Sequence, residues 1–366
     1  MIPHFDLARA ELHVRDQMVE AATRVINRGW YVLGEEVEAF EREWAAYCGA
    51  EHCVGVGNGL DALTLILMAS GIGPGDEVIV PSNAYIAAWL AVTRVGATVV
   101  PAEPVLATAN LDPAAAAAAV TSRTAAIIAV HLYGQTADME PLRALAERHS
   151  LLLVEDAAQA HGAGYQGARA GALGHAAGWS FYPTKNLGAP GDAGAVTTDD
   201  AQLADRIRLF RSYGARQKYV NLVLGVNSRL DELHAAVLRV KLAHLEADTA
   251  RRRELAARYV DELQGLDLQL PEVVDGADPV WHVFAIRHER RDELQSALKE
   301  LGVGTAVFYP TPPQDTEAYR DLGPWPEAPL AREHARTNLA LPLSAYLTDD
   351  EAGVVIGALR QAAVRG

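Results

Sequence analysis

The chain has 366 residues, half of them hydrophobic and 22% charged, with a formal net charge of -15. That length suits one large domain with a smaller partner, and the acidic balance speaks against nucleic acid or an anionic membrane as the main partner. There is no basic-then-apolar leader and no apolar run approaching the roughly 20 residues that span a bilayer. Cys48 and Cys53 have no paired histidines nearby, so neither a metal site nor a disulfide framework is expected, only thiols suited to a reducing cytoplasm.

Residues 12–28 carry apolar side chains at helical spacing (Val14, Met18, Ala21, Ala22, Val25, Ile26). Gly29 and Gly34 bound a loop holding Trp30 and Tyr31, and a helical face resumes with Phe40, Trp44 and Tyr47. From residue 53 the chain alternates. Strands are expected at 54–56, 76–81, 98–101, 124–130 and 151–156, with helices at 62–69, 86–95, the alanine run at 113–120, and 139–149. Continuous apolar strands separated by helices mean a mainly parallel sheet covered on both faces. Such sheets bind ligands beyond the carboxyl ends of their strands, and Asn58, Tyr85, His131, Asp156 and Lys185 are all expected there. Basic helix 203–212 follows, then long amphipathic helices at 230–247 and 252–263, a strand Trp281–Ile286, a helix 291–301, a proline-rich loop 309–329, and a last helix 348–364 capped by Thr348 or Asp349. Loops as long as 309–329 are often binding loops.

Chemistry centres on Trp179-Ser-Phe-Tyr-Pro-Thr-Lys185-Asn-Leu-Gly188. A lysine among aromatics loses solvation, which favours the amine that forms Schiff bases. Asp156, at the tip of a buried strand, reads either as a helix cap or as a carboxylate facing the protonated ring nitrogen of pyridoxal phosphate. Gly57-Asn58-Gly59-Leu60, between strand and helix, is either a phosphate cradle or a bare tight turn. Tyr85 is a core aromatic or a ring-stacking one. His131 and His161 are structural residues or ring neighbours.

Val154-Glu-Asp-Ala-Ala-Gln-Ala-His161, Phe181-Tyr-Pro-Thr-Lys-Asn-Leu-Gly188 and Gly191-Asp-Ala-Gly194 resemble the sugar aminotransferases of the DegT/DnrJ/EryC1/StrS family. Gly73–Pro81, His131–Gly134 and Asn227–Asp231 extend the resemblance essentially from end to end. It implies a fold type I α/β transferase: a large domain (1–245) with a mainly parallel, mixed seven-stranded sheet flanked by helices, and a smaller α+β domain (246–366). It implies pyridoxal 5'-phosphate as cofactor and a homodimer with its sites at the subunit interface. By motif, Lys185 is similar to the Schiff-base lysine and Asp156 to the partner of the ring nitrogen. The resemblance implies Gln159 over the ring face or near its oxygen, Tyr85 stacked on the ring, and Gly59, Leu60 and Ser180 at the phosphate. Asn227 reaches the phosphate in the neighbouring subunit. Trp30, Tyr31, His161, Tyr182, Tyr309 and Gln314 are the expected substrate contacts. The substrates implied are L-glutamate and a nucleotide-linked keto sugar. Segments 81–92 and 58–63 look more like members that act at carbon 3 of dTDP-3-keto-6-deoxyhexoses than like those acting at carbon 4. A regulatory protein that binds the cofactor without turnover is the more remote alternative. Two departures from the family pattern stand out. Asn58-Gly-Leu60 replaces a turn that often carries a hydroxyl, and Phe308-Tyr-Pro-Thr-Pro-Pro-Gln314 lacks a frequent histidine.

Overall fold

The computed structural model describes residues 1–364. Its centre is a seven-stranded sheet of β1 (His52–Val56), β2 (Glu77–Pro81), β3 (Thr98–Ala102), β4 (Thr124–Val130), β5 (Leu152–Asp156), β6 (Ala176–Ser180) and β7 (Gly194–Thr198), in the spatial order β1-β7-β6-β5-β4-β2-β3. The run from β3 to β6 is parallel. β7 is antiparallel to both its neighbours, β6 and β1. The sheet is therefore mixed and mainly parallel. Successive side chains of a strand point to opposite faces, and both faces here are apolar. Val78, Val80, Ile128 and Val154 enter one core cluster, while Ile79, Ile127, Ala129 and Leu153 enter another.

The helices that matter for the site are α1 (Glu35–Cys48), α2 (Gly59–Ala69), α3 (Ile86–Arg94), α4 (Met139–His149), α5 (Ala201–Phe210), α6 (Glu232–Leu242), α7 (Leu245–Leu263), α8 (Arg291–Glu300) and α9 (Asp349–Val364). α9 starts with a reciprocal cap: the Glu351 N–H donates to Thr348 Oγ1 and the Thr348 N–H to Glu351 Oε2. A separate core joins α7, α8 and α9 to the antiparallel pair β8 (Phe284–Arg287) and β9 (Asn338–Leu341), through Leu255, Tyr259, Phe284, Leu298 and Leu359. Ile2 packs against this second core and pairs in parallel with Val303, so the first residues leave the large unit expected to hold them. Residues 365 and 366, the end of the expected small domain, lie outside the described residues.

Three expectations differ from the fold. The helix expected over 230–247 ends at Leu242, and α7 restarts at Leu245. β6 and β7 escape the alternation because they are rich in alanine, glycine and threonine, with little apolar bulk to mark them. The strand expected over Trp281–Ile286 begins only at Phe284, because Trp281 takes a left-handed φ of 50° that breaks extended geometry.

Candidate active site

The carboxyl ends of β2, β4, β5 and β6 open into a cavity of about 600 Å³, lined also by Val283, Phe308 and Tyr309. Lys185, Asp156, Gln159, Gly59, Leu60, Ser180, Tyr85, Tyr182 and Tyr309 all line it. These nine residues come from five different segments, and the sheet's topology brings them together.

Asp156 ends β5 and is 7% exposed. Its Oδ1 accepts the Ala158 N–H at 3.2 Å, and no described cation forms a salt bridge with it. Burial raises its pKa against the smaller opposing pull of that hydrogen bond, Lys185 and His131. A buried carboxylate kept open toward a cavity suits a cationic ligand atom. The capping interpretation also holds in part, since one oxygen does serve the backbone.

Lys185 sits beyond β6 rather than at a strand end, in a loop whose turn is closed by the Lys185 N–H donating to the Tyr182 carbonyl at 2.9 Å. The turn needs glycine at 188, where a Cβ would lie 2.4 Å from the Pro183 carbonyl oxygen. The lysine is half-buried, and burial lowers its pKa to about 8, with Asp156 opposing. About a tenth of it is therefore the free amine at pH 7, far more than for an ordinary lysine.

The turn before α2 is a cradle. Asn58 caps the helix by accepting the Asp61 N–H at 2.8 Å. The N–H groups of Gly59 and Leu60 have no acceptor among the described residues, as first-turn donors of a helix lack intrahelical partners. A Cβ on Gly59 would stand 2.7 Å from Ser180 Cβ, so glycine lets this helix end come down onto β6 beside the serine hydroxyl. An anion suits this spot.

Gln159 is fixed at both ends: its Oε1 accepts the Tyr133 N–H at 2.6 Å and its Nε2 donates to Tyr309 Oη at 3.2 Å. Tyr85 is not a core aromatic. It is 54% exposed and lies 4.9 Å from the Tyr309 ring, tilted by 32°. His131 also lines the cavity, with a fixed tautomer. Its Nδ1 accepts the Ala137 N–H, so Nε2 carries the proton and donates to Glu155 at 2.9 Å. Glu155, fully buried, further accepts the N–H groups of Gly171, Leu173 and Gly174.

Four expected contacts do not line this cavity. His161 is wholly buried among Trp44, Trp179 and Phe181, and its Nε2 donates to the Ser180 carbonyl at 2.9 Å. Burial holds its pKa down at about 3. Trp30 and Tyr31 are exposed elsewhere, and Gln314 is 2% exposed with its amide unpartnered among the described residues. Asn227, expected at the neighbouring subunit's phosphate, is exposed, bridges to Ser212 and does not line this cavity.

His282 is a cavity residue that sequence reading missed, as are Thr184 and Asp192. Assigned to a strand interior, it looked like a packing position, and only the break at Trp281 frees it.

The family model described as "DegT/DnrJ/EryC1/StrS aminotransferase family" matches residues 13–360. The chain is 53% identical over 364 residues to the erythromycin biosynthesis sensory transduction protein EryC1 of Saccharopolyspora erythraea, covering 99% of this chain and 100% of that one. It is 52% identical over 367 residues to the dTDP-3-amino-3,4,6-trideoxy-alpha-D-glucose transaminase of Streptomyces venezuelae, covering 100% and 97%. The crystal structure of S. venezuelae DesV in complex with a ketimine intermediate superposes with a TM-score of 0.98 at 51% identity, covering 100% of this chain and 99% of that one.

Proposed function

The chain belongs to the DegT/DnrJ/EryC1/StrS aminotransferase family, and from that premise we propose that it moves an amino group from L-glutamate to carbon 3 of a dTDP-linked 3-keto-6-deoxyhexose. It is a pyridoxal phosphate-dependent aminotransferase. The observation that carries the reading is one cavity holding Lys185, Asp156 and the unpaired N–H groups of Gly59 and Leu60. The preference for carbon 3 rests on the likeness to the Streptomyces venezuelae transaminase.

The residues present fit the cofactor. The phosphate suits the α2 N-terminus and the Ser180 hydroxyl, the ring nitrogen suits Asp156, and the aldehyde suits Lys185. When bound, pyridoxal phosphate supplies an aldehyde that condenses with amines and a ring that takes up the electron pair left when a carbon loses its proton. Asp156 keeps a negative charge beside the ring nitrogen, and a cation there pulls its burial-raised pKa back down. Lys185 Nζ, as an amine, takes a proton from the donor carbon and returns it on the other side of the transfer. Gln159, held at both ends, and Tyr85 with Tyr309 would help to orient the bound cofactor.

The partner surface is proposed on the loop around 213–226. Tyr219 is 86% and Leu224 94% exposed, with Leu222 beside them, an apolar patch of the kind a second copy covers. That copy would bring Asn227 to the neighbouring phosphate site. No described helix is long and apolar enough to cross a membrane. The two buried free thiols suit the cytoplasm as its setting.

The test is an assay of the purified protein with glutamate and 3-keto or 4-keto dTDP-sugars, the aminated carbon being located by NMR. Amination at carbon 4 alone would overturn the choice of carbon. The name of the Saccharopolyspora relative supports a second reading as a sensor. Cofactor binding without product from any keto sugar would favour it.

A further inference from the structure

The Ser228 hydroxyl is engaged twice by the turn that opens α2. It accepts the Gly57 N–H at 2.9 Å and donates to Asp61 Oδ2 at 2.8 Å. The same Asp61 oxygen accepts Asn58 Nδ2 at 3.1 Å, while Asp61 Oδ1 accepts Arg94 Nη1 at 3.0 Å. One buried hydroxyl therefore grips the residues on both sides of the anion cradle at Gly59 and Leu60. Glycine at 57 permits the approach, since a Cβ there would stand 3.1 Å from Ser228 Oγ. The backbone of Ser228 is fixed as well. Its N–H donates to the Arg211 carbonyl at 3.0 Å, and the Arg211 guanidinium is itself held by the Gly55 carbonyl at 2.6 Å and Glu41 at 2.7 Å. One residue earlier the setting reverses. Asn227 is exposed, is held by its backbone bridge to Ser212, and directly follows the loop whose exposed Tyr219 and Leu224 we assign to a second copy. Ser228 thus stands at the junction between that surface and the cradle of its own chain.

We propose that Ser228 is a positioning residue for two phosphate sites at once: its hydroxyl holds the cradle of its own chain, and its backbone fixes the Asn227 that the chain lends to the neighbouring site. The inference rests on the reading of Asn227 as the phosphate contact of a partner subunit. An exposed side chain serves a neighbour only if its own backbone is held. Here Ser212 anchors one side of Asn227 and Ser228 the other. Removing the hydroxyl leaves the Gly57 N–H without its acceptor and unties residues 227 and 228 from the turn. Each loss loosens a phosphate, one in the chain that carries the change and one in its partner. Two-fold symmetry repeats the arrangement, so an anion that tightens one cradle also steadies the asparagine offered to the other.

The test uses full-length hybrid dimers isolated through two different affinity tags. One chain carries Lys185→Ala, so only the wild-type chain gives the visible band of the lysine-bound cofactor, and the dissociation constant of pyridoxal phosphate is read from that band. Adding Ser228→Ala to the Lys185→Ala chain leaves every residue of the wild-type chain untouched. The expected result is a dissociation constant about three- to tenfold above that of the hybrid without it, the worth of one hydrogen bond. A purely local role for the hydroxyl would not move this site. Adding Asn227→Ala in its place should weaken the same site by at least as much. Equal constants with and without Ser228→Ala, while Asn227→Ala weakens the site, overturn the proposal and leave Asn227 in its role. No effect of Asn227→Ala, or a monomer in sedimentation, overturns the reading of Asn227 and the proposal with it. Ser228→Cys has nearly the same size and bonds more weakly, so it should raise the constant in the same direction by less, and it replaces the alanine if that chain does not assemble.

Discussion

Asp156 and Lys185 face one cavity and form no salt bridge, yet each opposes the shift that burial imposes on the other. Two buried charges left unjoined are costly in a resting protein. The separation leaves room between them for a planar ligand with a cationic atom at one end and an electrophilic carbon at the other.

Lys185→Ala removes the amine that binds the cofactor and moves the proton. Product formation should fall about 10⁴-fold, and the visible absorbance of the cofactor-loaded protein should be lost. A chromatographic assay for the aminated sugar, alongside a spectrum, reads both.

Lys185→Met should stabilise the cofactor-free chain at pH 7 by about 1–2 kcal/mol, part of the gain being given back because Asp156 loses its cation. The folded-state pKa of about 8 lies below the ordinary 10.5. Unfolded chains therefore bind the extra proton, and the wild type gains stability as pH rises from 8 to 10.5. The advantage of the methionine should shrink across that window in urea melts.

Asp156→Asn keeps the shape and removes the charge. Turnover should drop about 10²–10⁴-fold while the protein still folds, because the amide cannot hold a positive charge at the ring nitrogen. Steady-state kinetics with circular dichroism separates loss of chemistry from loss of fold.

His161→Leu should weaken cofactor binding about three- to tenfold, since the Ser180 carbonyl loses its donor and the cradle loosens. It should also flatten acid sensitivity. With a folded-state pKa near 3 against an ordinary 6.5, wild type loses stability as pH falls from 6.5 toward 3. Thermal melts over that range, and fluorescence titration with pyridoxal phosphate, report the two effects.

Leu224→Asp places a charge on the most exposed apolar side chain of the 213–226 loop. Sedimentation should shift from dimer to monomer, and activity should fall with it because each site would lack Asn227 of the partner.

The sheet was legible where strands are apolar runs: Val78-Ile79-Val80 and Ala126–Val130 cannot be satisfied by anything but burial on both faces. β6 and β7 were not, because alanine, glycine and threonine carry little hydrophobic signal. Lys185, Asp156, Gln159 and the Gly59 turn were legible through motif, and they do share a cavity. His161, left open between a structural and a ligand-facing role, is structural, and the cage that decides it includes Trp44 of α1, far from it in sequence, as well as Trp179 and Phe181. His282 was invisible for the opposite reason: its local pattern resembled a strand, and its exposure depends on the single left-handed residue before it.

The pairing of Ile2 with Val303 has a consequence for the order of events during synthesis. The Ile2 N–H donates to the Gly302 carbonyl at 2.8 Å, and the Gly304 N–H returns to the Ile2 carbonyl at 2.8 Å. Arg9 is held by Glu351 at 2.8 Å. Residues 2–9 therefore have no lasting place until residues 302–351 have followed them from the ribosome. The large sheet can settle early, while the small core closes only when residues 2–9 meet residues 302–351.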